Sequence, residues 1–174
     1  MRHLSRSLTA LCSFTLMMSF MAPLLHAEGK SAAKIKTSAI KVEMIQSDEI
    51  KLPAEFQVAL YENLIQQLEK KSGVSHVYRE GDRTAANVAD LVVLRSTVSG
   101  FKEGSQRKRE VTTVAGATSI TVHCKFTDSQ GKVLVERDIK GKVRFFGGNL
   151  RATYDFAKKA ATLTRDNFSS SQGT

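Results

Sequence analysis

The chain has 174 residues, 41% hydrophobic and 25% charged, with two cysteines and a formal net charge of +9. Those proportions support one real hydrophobic core in one domain. With a single cysteine left beyond the N-terminal leader, they exclude a fold held by internal disulfides.

Residues 1–27 read as a secretory signal peptide. Arg2, His3 and Arg6 form the basic start, Leu8 to Leu25 the apolar stretch, and Ala27 the small residue before the cut. A retained membrane anchor is the alternative, because the apolar stretch approaches spanning length. Cys12 follows Leu11 and makes a poor lipoprotein cysteine. Loss of Arg2 and Arg6 leaves the processed chain at +7. A charge of that size fits an acidic polymer, an anionic lipid or nucleic acid as partner, or simply a basic soluble surface; no long basic run occurs.

Residues 28–38 are small, polar and basic, as in a flexible lead-in. Ile40, Val42 and Met44 then alternate with Lys41 and Glu43 as a first strand. Pro53 opens a helix in which Phe56, Leu60, Leu64 and Leu68 recur on one side, with Tyr61 and Ile65 beside them. Lys70 and Lys71 suit its last turn and Gly73 its exit. Val74 to Arg79 is a short strand, and residues 80–87 are a loop or one helical turn. Asp90 to Val98 is apolar on both faces over four residues and reads as a central strand. Gly100 to Glu110 is a polar, basic loop.

From Thr118 to Thr127, Ile120, Val122, Cys124 and Phe126 share one face of a strand, which makes Cys124 a buried, inert thiol. His123 points to the other face, away from any role as its base. Residues 128–131 turn this strand into a hairpin with a long partner. In that partner Val133, Val135, Ile139, Gly141, Val143 and Phe145 face inward, while Lys132, Glu136, Asp138, Lys140, Lys142 and Arg144 face water. Arg137 breaks the inward set, as at a bulge or as a buried arginine.

Gly147 and Gly148 release the chain into a helix that Asn149 caps. Leu150, Tyr154, Ala157, Ala161, Thr164 and Phe168 form its apolar stripe, widened by Phe156, Ala160 and Leu163. Residues 169–174 are a disordered tail. The expected architecture is a single α+β domain over residues 39–168, ordered β-α-β-β-β-β-α. It has a mainly antiparallel sheet with both amphipathic helices on one face.

Several stretches together resemble a known family: Leu52-Pro53 opening a helix, Ala89-Asp90-Leu91-Val92-Val93, and Ala115-Gly116-Ala117-Thr118 leading a strand. Gly131-Lys132-Val133-Leu134 and Phe145-Phe146-Gly147-Gly148-Asn149 complete the set. The order is similar to that of DUF4410, a bacterial domain-of-unknown-function family of exported proteins and lipoproteins, over about Lys36 to Phe168. The resemblance implies an envelope-located α+β domain without a known activity.

Chemistry-bearing patterns are sparse. His76 and His123 lack the spacing of metal ligands, and neither nucleophile-elbow nor phosphate-loop motifs occur. No catalytic residue, metal or cofactor is expected. The candidate sites are a small-anion site at Gly147, Gly148, Asn149 and Arg151, where a helix N-terminus offers N–H groups, and a partner-docking loop at Arg107, Lys108 and Arg109. Lys125, Lys140, Lys142 and Arg144 add a polar strand face. The leading expectation is an exported, non-enzymatic binding or assembly module, periplasmic or secreted, whose partner is another envelope protein or itself. The alternative is a small-anion binding protein. Few aromatics and export argue against nucleic acid, and membrane association is expected through the signal segment alone.

Overall fold

The computed structural model describes residues 33–112, 116–143 and 148–171. The signal peptide, Arg144, Phe145 and Gly147 lie outside the described residues.

Five strands form a mixed sheet in the order β3-β2-β4-β5-β6: β2 (Ala39–Val42), β3 (Val77–Arg79), β4 (Leu91–Lys102), β5 (Thr118–Thr127) and β6 (Val133–Val143). β2 runs parallel to both β3 and β4, whereas β4, β5 and β6 are successively antiparallel. The expected antiparallel character therefore holds for one half of the sheet. The other half is parallel because a helix of 18 residues, α1 (Ala54–Lys71), returns the chain between β2 and β3. β4 sits at the centre, as its two-sided apolar run requires.

Both main helices, α1 and α3 (Arg151–Asn167), pack on the same face of the sheet. α1 buries Phe56, Leu60, Leu64, Ile65 and Leu68 completely or nearly so. In α3 the buried stripe is Ala152, Phe156, Ala157, Ala160 and Ala161, while Leu150 and Tyr154 are exposed. The stripe is rotated from the expected one because small alanines let α3 lie close to β6 and α1. At Gly141 on β6 a Cβ would fall 2.1 Å from the Ala152 carbonyl oxygen. Only a glycine admits that approach.

Three short elements were not legible in the sequence. β1 (Ile35–Thr37) pairs in parallel with β7 (Phe168–Ser170), so part of the expected lead-in and part of the expected tail are strand. Thr37 is fully buried, its hydroxyl donating to the Asp90 carbonyl at 2.7 Å. α2 (Gln106–Val111) stands where a loop was expected, and β4 runs on to Lys102 past an irregularity between Val98 and Gly100. Arg137 is exposed beyond the helix cover; the register shift in the hairpin lies between Phe126 and Thr127.

Candidate functional site

The two stretches singled out as candidate sites meet each other. Asn149 does not cap α3; Leu150 holds that position and makes no side-chain cap. The Asn149 Oδ1 accepts from Arg109 Nη2 at 2.8 Å and from the Thr118 hydroxyl at 2.8 Å. Its Nδ2 donates to the Gly104 carbonyl at 3.2 Å and to Glu103 Oε1 at 3.3 Å. The backbone N–H groups of Arg151, Ala152 and Thr153 donate to the carbonyls of Gly148, Asn149 and Leu150. The helix start thus spends three of its donors on a tight turn, and Asn149 ties that turn to β5 and to the α2 loop. Arg151 is exposed on the first turn of α3.

The basic loop divides. Arg107 and Lys108 are exposed on α2, but Arg109 is 3% exposed. Its Nη1 donates to the Gly116 carbonyl at 2.6 Å and reaches Thr118 Oγ1 at 3.3 Å. Arg109 is therefore a strut inside the loop, correcting its expected place on a docking surface: three polar acceptors converge there, and a guanidinium, with five N–H donors in a rigid fork, satisfies several at once. Lys108 lines an open groove of about 660 Å³ with Lys102, Glu103, Gly104, Ser105, Gly116 and Ala117.

The sheet face opposite the helices is the larger feature. The register places Arg95, Lys125 and Glu136 in one cross-strand row, and Thr97, His123 and Asp138 in the next. Gly100, Thr121 and Lys140 form a third row, and Lys102, Ser119 and Lys142 the last. Arg95 pairs with Glu43 of the loop after β2 at 2.8 Å. His123 lies between two carboxylates, Nδ1 at 2.7 Å from Asp138 Oδ1 and Nε2 at 2.8 Å from Glu136 Oε1. The hydrogen bond to Asp138, then that to Glu136, raises its pKa above the usual histidine value by favouring the charged ring. This triad was missed because each residue alone looks like solvated charge. The hairpin turn at 128–131 was the available signal, since it sets the register that brings them together.

The β6 edge is partly closed from the helix side: Asp155 accepts from the Lys142 N–H at 2.9 Å, and Lys159 donates to the Lys140 carbonyl at 2.8 Å. Cys124 is fully buried beside Ser96, and burial pushes its thiol up to about 12. Such a thiol forms little thiolate at neutral pH. Among the described residues no cluster of three or more histidine, cysteine or acidic side chains is arranged to hold a metal ion. No described helix is long and apolar enough to cross a membrane.

A family model described as a domain of unknown function, DUF4410, matches residues 26–144, which spans the sheet and ends before α3. No curated protein matches the sequence. Among solved structures, a variant PelC dodecamer from Paraburkholderia phytofirmans is similar with a TM-score of 0.55 at 15% identity, covering 78% of this chain and 92% of that one. A second PelC dodecamer structure from the same organism gives 0.55 at 14%, with 76% and 89% covered. Protein XCC0632 from Xanthomonas campestris gives 0.48 at 12%, with 75% and 83% covered. At these identities the likeness is one of fold.

Proposed function

The chain belongs to the DUF4410 family, and from that premise we propose that it is an exported, non-enzymatic assembly module of the cell envelope, docking another envelope component or further copies of itself through the open face of its sheet. One observation carries the reading: β4, β5 and β6 present four cross-strand rows of charged and hydroxyl side chains on the side that neither main helix covers. A polar sheet face needs no cover for stability, so it is free to be spent on recognition. The leader sequence supports export. That PelC, similar in fold, is a dodecamer supports copies of the same chain as one partner.

The test is site-specific photo-crosslinking in the native envelope, with the probe at Thr97 or Lys125 on the open face and at Gln66 on the exposed side of α1 as control. Discrete adducts from the sheet positions, absent from Gln66, are expected, and mass spectrometry then names the partner and the processed N-terminus. Adducts at twice the chain mass identify self-assembly. Adducts from the helix side alone overturn the reading.

A further inference from the structure

Charge on the open face is not evenly spread. In the last two rows, Gly100–Thr121–Lys140 and Lys102–Ser119–Lys142, the only charged side chains are Lys102, Lys140 and Lys142. Among the described residues none of the three forms an ion pair, whereas Arg95 is paired with Glu43 and His123 with Asp138 and Glu136. Between them lie Gly100, Ser119 and Thr121, so the lysines frame a furrow floored by small residues, two of them hydroxyl-bearing. A Cβ on Gly100 would rest 3.6 Å from the Thr121 side chain, which places both on this face.

Strand geometry sets the scale. Lys140 and Lys142 stand about 6.6 Å apart along β6, and Lys102 and Lys142 about 9.6 Å apart across β5. Lysines on an edge strand often serve to repel other strands. Here Asp155 and Lys159 already occupy the outward-facing backbone of β6 at Lys142 and Lys140, so these cations are not needed for that.

We infer that this furrow is a docking track for an acidic polysaccharide, whose carboxylates pair with Lys102, Lys140 and Lys142 while its hydroxyls bond to Ser119 and Thr121. The inference rests on the module reading above and names its partner class. Charge complementarity selects an anion. Among the described residues the furrow holds none of the exposed large apolar side chains that anchor a protein in a lipid surface, and no aromatic on which a nucleobase would stack.

The experiment measures binding of fluorescent polygalacturonate to the processed chain by anisotropy, with dextran of similar length as the neutral control. Saturable binding is expected that falls roughly tenfold or more between 50 and 300 mM salt, as screening shortens the reach of each ammonium. The combined variant Lys102→Gln, Lys140→Gln, Lys142→Gln is expected to bind about tenfold more weakly. Lys70→Gln, Lys71→Gln, Lys158→Gln removes the same charge from the helix side and is expected to bind within about twofold of wild type. Both variants should melt with the wild type. Equal weakening in both, no binding at all, or binding to phosphatidylglycerol vesicles in place of the polymer each overturns the proposal. Envelope adducts without polymer binding would remove the polysaccharide and leave the module; polymer binding with adducts only from the helix side would do the reverse.

Discussion

The close seat of α3 on β6 depends on one missing methyl group. In Gly141→Ala the new Cβ would lie 2.1 Å from the Ala152 carbonyl oxygen, 2.7 Å from Phe156 Cβ and 2.9 Å from the Phe156 nitrogen. Relief needs α3 to retreat by about 1 Å, since the atoms in the way are mostly helix backbone and cannot rotate aside. Overpacking costs about 1–3 kcal/mol, and a rigid obstacle places this case near 3 kcal/mol. That is a large part of a total stability of about 5–15 kcal/mol. Urea denaturation should register it directly, with a melting temperature lower by about 6–12 °C.

Gly131→Ala is the control: Gly131 has φ +83° but no atom within 4 Å of the added Cβ, so only backbone strain of about 1 kcal/mol applies. The retreat of α3 would also draw Asp155 off the Lys142 N–H and expose strand edge. Association that rises with concentration should accompany the loss of stability. A Gly141→Ala protein within about 0.5 kcal/mol of wild type, or no worse than Gly131→Ala, would refute the steric argument.

Two further outcomes test the site geometry. Arg109→Ala leaves the Gly116 carbonyl, Thr118 and Asn149 short of a shared donor and should cost about 3 kcal/mol in urea unfolding. Arg107→Ala should change stability by less than about 0.5 kcal/mol, and equal effects would show that Arg109 is no strut. His123→Gln tests the carboxylate clamp. The folded imidazole has a raised pKa, so its stabilisation is fully present below the unfolded histidine value and is lost as pH rises through the folded one. At 39% side-chain exposure, solvent screening limits it to about 0.5–1 kcal/mol at pH 6. Thermal melts of wild type and variant should differ by about 1–4 °C at pH 6 and converge toward pH 9. A gap independent of pH would dissociate the histidine charge from stability.

The meeting of Asn149 with Arg109 bears on how the basic loop works. The turn before α3 and the end of α2 are one hydrogen-bonded unit with Thr118 at its centre. Arg107 and Lys108 are therefore presented from a fixed base, and Lys108 lines the groove that also contains Lys102 and, beside it, the acid Glu103. The basic end of the sheet and the basic loop are neighbours through that shared lining.

What the amino-acid order determined by itself is local and periodic. Phe56, Leu60, Leu64 and Leu68 recur at helical spacing, and all four are fully buried in α1. Ile120, Val122, Cys124 and Phe126 alternate, and all four are fully buried in β5. Such patterns arise because one element must turn one face to a core, whatever that core is. The family signature was equally local, lying in a helix start, a central strand and the turns.

Where the partner of an interaction lies far along the chain, only the tertiary structure decided. Thr37 is buried because Asp90, 53 residues on, accepts its hydroxyl, and three-residue strands such as β1 and β7 hold too few positions to show a period. Arg109 looked like the third cation of a surface loop and became a strut because Asn149, 40 residues away, and Thr118 converge on it. The stripe of α3 turned away from Leu150 and Tyr154 because Gly141 opened room beside Ala152 and Phe156. Charge pattern shows which residues are ionised, but the cross-strand register decides which of them meet. That register gave His123 two acids, while among the described residues Lys102, Lys140 and Lys142 pair with none.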